Sequence, residues 1–181
     1  MDYKAMLMDE AQLMRSLARI THEIIERNRG CENIMLMGVK RRGVFLADIL
    51  AKNIKKFEGT SVPVGYIDIT HYRDDISSKV SKDPSTSDCH FPEKVEDKTV
   101  IIVDDVIYTG RTTRAAIEAV FSSGRPRAIQ LAVLIDRGHR ELPLKPDYVG
   151  KNVPTSHDER ISVSVMEIDG QYRVVLEDKA K

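Results

Sequence analysis

The chain has 181 residues, 41% of them hydrophobic, enough apolar material for one domain with a substantial core. Lys plus Arg and Asp plus Glu each number 28, so the formal net charge is zero and any contact with a polyanion must come from a local basic patch. Cys31 and Cys89 stand far apart outside any C-x-x-C pattern, which points away from a disulfide framework or thiolate metal site and toward a reducing compartment.

The N-terminus, Met-Asp-Tyr-Lys, has no apolar targeting core, and no run approaches membrane-spanning length. A soluble, cytoplasmic protein with no membrane partner is expected, as a single domain over 1–181 without internal repeats.

Asp9 followed by Gln12 has the pattern of a capping box. Leu13, Leu17, Ile20 and Ile24 then recur at helical spacing, which predicts an amphipathic helix stopping at Gly30. Another face of that helix carries Arg15, Arg19 and His22, either a solvated row or a basic binding surface.

Residues 33–37 (N-I-M-L-M) read as a buried strand running into Gly38-Val39-Lys40-Arg41-Arg42-Gly43, then a helix through Phe45, Leu46, Ile49 and Leu50. Cations beside backbone amides can seat a pyrophosphate, although a basic turn is also a common solvated loop. Residues 64–69 alternate as a strand should, and His71-Tyr72-Arg73-Asp74-Asp75 follows. From there to residue 97 the chain is polar, with Pro84 and Pro92, which predicts a long lid loop over about 71–98 whose closure would deliver Tyr72 and Arg73.

The most informative stretch is 99–121, T-V-I-I-V-D-D-V-I-Y-T-G-R-T-T-R-A-A-I-E-A-V-F. Val100 to Val103 is an apolar, β-branched run suited to a strand buried on both faces. Asp104 and Asp105 follow, then a turn bearing Tyr108, Thr109, Gly110, Arg111, Thr112 and Thr113. A helix comes next, with Ala116, Ile117, Val120 and Phe121 expected on its buried face. Strand, hydroxyl- and glycine-bearing turn, helix is the geometry of a phosphate cradle, because a helix N-terminus offers unpartnered N–H groups and a favourable dipole. The Lys-Ser/Thr ending of an ATP-type P-loop is absent. The acid pair supplies acceptors for sugar hydroxyls or a metal; the plainer reading is a strand ending in an Asx turn.

Residues 128–135 (A-I-Q-L-A-V-L-I) form another buried strand, ending in Asp136-Arg137-Gly138-His139-Arg140-Glu141-Leu142-Pro143. Residues 148–153 suggest a short strand, 154–160 a polar connection, and 161–168 with 172–176 a hairpin turning at Asp169-Gly170. Strands alternating with helices describe an α/β fold: an open, mainly parallel sheet flanked by helices, with a small C-terminal hairpin or hood over about 150–181. Charged loops at strand C-termini lie where such sheets bind ligands.

These residues resemble the type I phosphoribosyltransferases, through V-I-I-V-D-D-V-I-Y-T-G-R-T at 100–112, and more narrowly the pyrimidine operon attenuation regulators. M-G-V-K-R-R-G at 37–43, D-I-T-H-Y-R-D-D at 68–75, D-R-G-H-R-E-L-P at 136–143 and G-K-N-V-P-T-S at 150–156 carry the second likeness in one register. It implies the type I phosphoribosyltransferase fold and a regulator that also transfers phosphoribosyl from 5-phosphoribosyl-1-pyrophosphate to uracil, giving UMP.

By that resemblance Thr109, Gly110, Arg111, Thr112 and Thr113 hold the 5′-phosphate, and Val106, Ile107 and Tyr108 belong to the same substrate site. Asp104 and Asp105 take the ribose hydroxyls, with Mg²⁺ held through the substrate and no protein ligand assigned beyond those two. Lys40, Arg41, Arg42 and Gly43 hold the pyrophosphate, with Tyr72 and the catalytic candidate Arg73 arriving from the lid. Uracil is read by Arg137 and hood backbone near Ile161, Ser162 and Val163. A messenger RNA leader stem-loop is bound through Arg15, Arg19, His22, Arg27, His139, Arg140, Lys145 and Lys151, promoted by UMP or UTP, and a homodimer or larger homo-oligomer is implied. The chain departs from the family pattern at Ala18, where a hydroxyl is common (Thr21 is nearby), and at His71, where an aliphatic residue is common. The alternatives are a salvage transferase for uracil or a purine base with no RNA role, and a nucleotide sensor without useful turnover.

Overall fold

The computed structural model describes residues 3–69 and 89–178. Chain order is β1 Ala5–Met8, α1 Glu10–Asn28, β2 Ile34–Val39, α2 Arg42–Glu58, β3 Val64–Ile67, β4 Thr99–Ile107, α3 Arg111–Ser123, β5 Ala128–Asp136, β6 Tyr148–Asn152, β7 Glu159–Ser164, α4 Met166–Asp169 and β8 Arg173–Asp178. Among the described residues β3-β2-β4-β5-β6 form a parallel sheet, and β1-β8-β7 a separate antiparallel one, the hood.

The parallel sheet is covered on both faces, which is why its central strands read as unbroken apolar runs. Alternate side chains serve opposite layers. Leu36, Ile101, Val103 and Leu134 join Leu13, Leu17, Ile20 and Ile24 of α1 and Leu46, Leu50 and Ile54 of α2 in one core. Met35, Met37, Val100, Ile102, Leu131 and Val133 face Ala115, Ala116, Ala119 and Val120 of α3 in the other. The capping box at the start of α1 forms as its sequence predicts: Asp9 Oδ1 accepts from Gln12 N at 2.7 Å, and Gln12 Oε1 accepts from Asp9 N at 3.0 Å.

Several elements differ from expectation. Strand β1 is additional: A-M-L-M has little β-forming character of its own and is fixed by pairing with β8, Ala5 opposite Leu176. The hairpin of β7 and β8 forms, but its connection includes the helical turn α4, because the Asp169 carboxylate accepts from Val165 N at 2.9 Å and Gly170 ends the turn at φ 68°. Strand β4 continues through Asp104 and Asp105 to Ile107, so the acids lie within the strand. In α3, Phe121 is 57% exposed; small residues form the buried stripe, letting the helix lie close to the sheet.

Of the span 71–98 expected as a lid, residues 89–98 are packed. His90 and Tyr66 exchange backbone hydrogen bonds, Val95 is buried, and Glu96 bridges to Pro126. The remainder, with His71, Tyr72 and Arg73, lies outside the described residues. No described helix is long and apolar enough to cross a membrane.

Candidate functional site

Because β2, β4 and β5 are neighbours in one parallel sheet, their C-terminal loops are adjacent. The basic turn after β2, the acids and cradle at the end of β4, and the Arg137 turn after β5 thus form one surface, as expected for an open α/β sheet.

The cradle is a cavity of about 330 Å³ lined by Val106 to Thr113. Gly110, at φ 93°, turns the chain into α3 without a side-chain cap, and the first turn of α3 has no acidic residue. The N–H groups at the start of α3 therefore meet no carboxylate from their own turn, as suits an anion cradle. Arg111 N is 3.3 Å from Thr109 Oγ1, and the Arg111 guanidinium is 2.8 Å from Glu141 Oε2. Thr113 is buried, and the Ile107 side chain belongs to the core, so Ile107 offers a ligand only backbone.

Asp104 is 8% exposed and Asp105 partly buried. Asp104 Oδ1 accepts from Asp105 N at 2.9 Å, and Asp105 Oδ1 from Val106 N at 2.9 Å. Burial first, and then the neighbouring Asp105 charge, push the Asp104 carboxyl well above its ordinary range. Asp105 is raised by burial too, moderated by the Asp104 hydrogen bond, the Val106 amide and the Arg42 charge. Two crowded carboxylates that resist ionisation are relieved by a cation beside them or by hydroxyl donors. Their chemistry therefore fits Mg²⁺ next to a sugar.

The basic turn is braced against this pair. A Cβ on Gly43 would lie 2.4 Å from Val103 O, so only glycine allows α2 to start there. Lys40 pairs with Asp68 at 3.7 Å and lies 4.5 Å from the centroid of the Tyr66 ring. The Lys40–Arg41 peptide is cis. Arg42 reaches away to the hood, where Nη2 is 3.0 Å from Asp169 Oδ1.

Arg137 is 5% exposed. It donates to Thr155 Oγ1 at 3.0 Å, Ser156 O at 3.3 Å and Glu159 O at 2.8 Å. Ile161 and Val163 are buried in the core and Ser162 is half-buried. Since β7 is an edge strand, its outer backbone groups are what this segment presents. Glu159 in turn accepts from Lys4 at 2.6 Å and from Ser156 N at 2.7 Å. Thr155, Ser156, Glu159 and Asp169 were not among the expected site residues. Within the 150–156 motif only Lys151 carries an expected role, and Asp169 is expected as a turn residue.

The expected RNA residues fall into two groups. Arg15, Arg19, His22 and Arg27 are exposed on α1, and Arg15, Arg19 and Lys151 line a cleft of about 360 Å³ with Leu7, Met8, Gln12, Ser16 and Gly150. Arg19 donates to Glu23 and to the carbonyls of Val149 and Gly150; His22 stacks on Phe57 with centroids 4.4 Å apart; Arg27 pairs with Asp147 at 2.8 Å. Lys151 Nζ donates to Leu7 O at 3.0 Å. Thr21 is buried and donates to Leu17 O, so it offers no surface hydroxyl beside Ala18.

The second group belongs to the turn beside the cradle. Arg140 donates to Tyr108 O, Leu144 O and Asp136. His139 Nε2 is 2.5 Å from Thr155 O, and its ring centroid is 4.2 Å from that of His157. Lys145 is exposed.

Comparison with known proteins agrees with this fold. Residues 5–167 match the phosphoribosyl transferase domain family. The chain is 59% identical over 174 residues to the bifunctional protein PyrR of Clostridium acetobutylicum, covering 96% of this chain and 97% of that one. It is 56% identical over 178 residues to the Pelotomaculum thermopropionicum protein of the same name (98% of each chain), and 52% over 180 residues to that of Bacillus cereus (99% and 100%). The hypoxanthine phosphoribosyltransferase of Trypanosoma cruzi superposes with a TM-score of 0.73 at 18% identity over 98% of both chains. A Bacillus anthracis hypoxanthine-guanine phosphoribosyltransferase gives 0.72 at 22% over 98% and 99%, and at these identities both likenesses show the fold alone. The chain belongs to the phosphoribosyl transferase domain family and, within it, to the family of the bifunctional protein PyrR.

Proposed function

We infer that this protein is an RNA-binding regulator of pyrimidine biosynthetic genes that also makes UMP and pyrophosphate from uracil and 5-phosphoribosyl-1-pyrophosphate. One observation carries the enzymatic half: an acid pair inside a parallel strand, flanked by an anion cradle, a basic turn and a buried Arg that grips the hood. Full-length identity of 52–59% to bifunctional relatives supports the regulatory half.

The cradle amides and Thr109, Thr112 and Thr113 hold the 5′-phosphate. Asp104 and Asp105 accept from the ribose hydroxyls, so the sugar is fixed at both ends. Arg41, Arg42 and Lys40 neutralise the charge on the departing pyrophosphate as its bond to C1 breaks, and uracil N1 bonds to C1 in its place, giving up its proton to the departing pyrophosphate. Arg137 and hood backbone orient the base. Mg²⁺, held beside Asp104 and Asp105 through the substrate, supplies positive charge to the leaving group when bound. Nothing in this arrangement requires a covalent nucleophile; it orients reactants, neutralises developing charge and excludes water.

For the RNA role, Arg15, Arg19, His22 and Arg27 on rigid α1, with Lys151, offer cations and a ring for phosphates and unpaired bases of a stem-loop. His139, Arg140 and Lys145 lie nearer the nucleotide site, where bound UMP or UTP would sense the same turn. A homodimer or larger assembly is part of this reading. A dedicated salvage transferase is the second reading, favoured only by the basic groups of α1 that already have protein partners.

Two measurements test it. UMP formation with Mg²⁺ is expected in the wild type and lost in Asp105→Asn; no wild-type turnover would leave a sensor. A pyrimidine-leader stem-loop should bind more tightly with UMP, and Arg19→Ala and His22→Ala should weaken it. Equal, weak, UMP-independent binding by all three proteins would remove the regulatory role.

A further inference from the structure

We infer that Asp169, at the end of α4 in the hood, is a positioning residue for Arg42, so that the base-reading hood and the basic turn act as one unit. The proposal rests on the reading that residues 40–43 seat pyrophosphate.

Arg42 Nη2 lies 3.0 Å from Asp169 Oδ1 and 3.3 Å from Oδ2, across a separation of 127 positions in sequence. Both side chains are mostly covered, at 31% and 24% exposure, so the pair is less screened than an ordinary surface ion pair. Arg42 Nε is buried without a hydrogen-bond partner among the described residues. With Nε unmet, the guanidinium is oriented through Nη2, which is hydrogen-bonded to both carboxylate oxygens of Asp169. The first turn of α2 contains no acidic residue, and Arg41 caps it without a side-chain bond, so α2 itself does not orient the guanidinium.

Asp169 is itself fixed. Its Oδ2 accepts from Val165 N at 2.9 Å and its own N–H donates to Val165 O at 2.8 Å, closing α4 on itself. Despite the opposing effect of burial, the Val165 amide and the Arg42 charge keep its carboxyl below the usual range, with Arg173 adding to the same effect. The carboxylate is therefore charged and rigid. On the other side, the Arg42 charge is felt at Asp105. Gly43, the next residue, packs on the backbone of Val103 and Asp104, so Arg42 joins the hood to the strand that carries the acid pair, and Asp169 fixes its direction.

The two roles of Asp169 separate by substitution. Asp169→Asn keeps an oxygen for the Val165 amide and removes the charge facing Arg42; Asp169→Glu keeps the charge. The experiment measures steady-state UMP formation and, by calorimetry, 5-phosphoribosyl-1-pyrophosphate binding with Mg²⁺, for wild type, Asp169→Asn, Asp169→Glu, Arg42→Ala and the Asp169→Asn/Arg42→Ala double variant. Asp169→Asn is expected to weaken 5-phosphoribosyl-1-pyrophosphate binding and raise its KM about tenfold, with kcat changed less than threefold; Asp169→Glu should recover most of the loss. In the Arg42→Ala background Asp169→Asn should add less than twofold. The same penalty in both backgrounds, or a loss tracking thermal stability without a KM effect, would overturn the proposal. Absence of wild-type turnover would instead count against the enzymatic reading, and the binding measurements would still report on Asp169.

Discussion

The guanidinium of Arg137 lies over the ring of Tyr108, its Cζ 4.0 Å from the ring centroid, so a hood-binding residue rests on the cradle. A planar cation suits both contacts, stacking on the ring while directing donors at fixed carbonyls. Arg137→Met should lose those charge-assisted bonds, costing about 1–3 kcal/mol in urea denaturation and raising the KM for uracil at least about tenfold. Arg137→Lys should recover little, since an ammonium cannot make the stacked, forked arrangement. An unchanged KM in both variants would detach Arg137 from the base.

The acid pair predicts opposite effects on stability and activity. The Asp104 carboxyl has its folded pKa raised, so between the unfolded and folded values the native state keeps a proton that the unfolded chain has lost. Stability falls as pH rises through that window, and the cost is complete above it. Asp104→Asn should therefore be more stable than the wild type without ligand at about pH 8, with the gap narrowing toward about pH 4, while UMP formation is lost. Denaturation at several pH values checks the sign; a variant less stable at high pH would refute it.

Gly43→Ala should reverse an ordinary rule. Alanine in a helix usually gains about 0.5–1 kcal/mol over glycine. Here the new methyl would meet Val103 O at 2.4 Å, so α2 or β4 must shift. The expected outcome is a loss of about 1–3 kcal/mol together with weaker 5-phosphoribosyl-1-pyrophosphate binding.

On α1, Arg15→Ala and Arg19→Ala should each flatten the log–log dependence of stem-loop affinity on salt by about one unit if each residue meets a phosphate. Arg19 also holds β6 through two carbonyls, so Arg19→Ala is expected to lower stability slightly, and Arg15→Ala should not. Titration at several salt concentrations separates lost phosphate contacts from a disturbed surface.

Much of this was legible in the residues. The unbroken apolar run at 100–103 announced a doubly covered strand, and the Asp, Gly and Thr after it announced the cradle, because each needs only local geometry. What local pattern could not reveal was which partner each charge finds. Asp169 beside Gly170 reads as a turn, and its role at Arg42 exists only once the hood folds back over the sheet. Residues 5–8 became a strand through a partner near position 175, invisible to any local window. Phe121 shows the converse, since hydrophobicity marked it as core while the close approach of α3 buried alanines and left it outside.

Strand β8 lies between β1 and β7, and Lys4 meets Glu159 across 155 positions of sequence. During synthesis the cradle and the core layer under α3 emerge before β8 can join β1 to β7, whereas the other layer is completed only by Ile161, Val163, Val165 and Val174. On the proposed reading, a growing chain completes the phosphate cradle before Arg137 gains its Glu159 acceptor, so selectivity for the base would be acquired after phosphate binding.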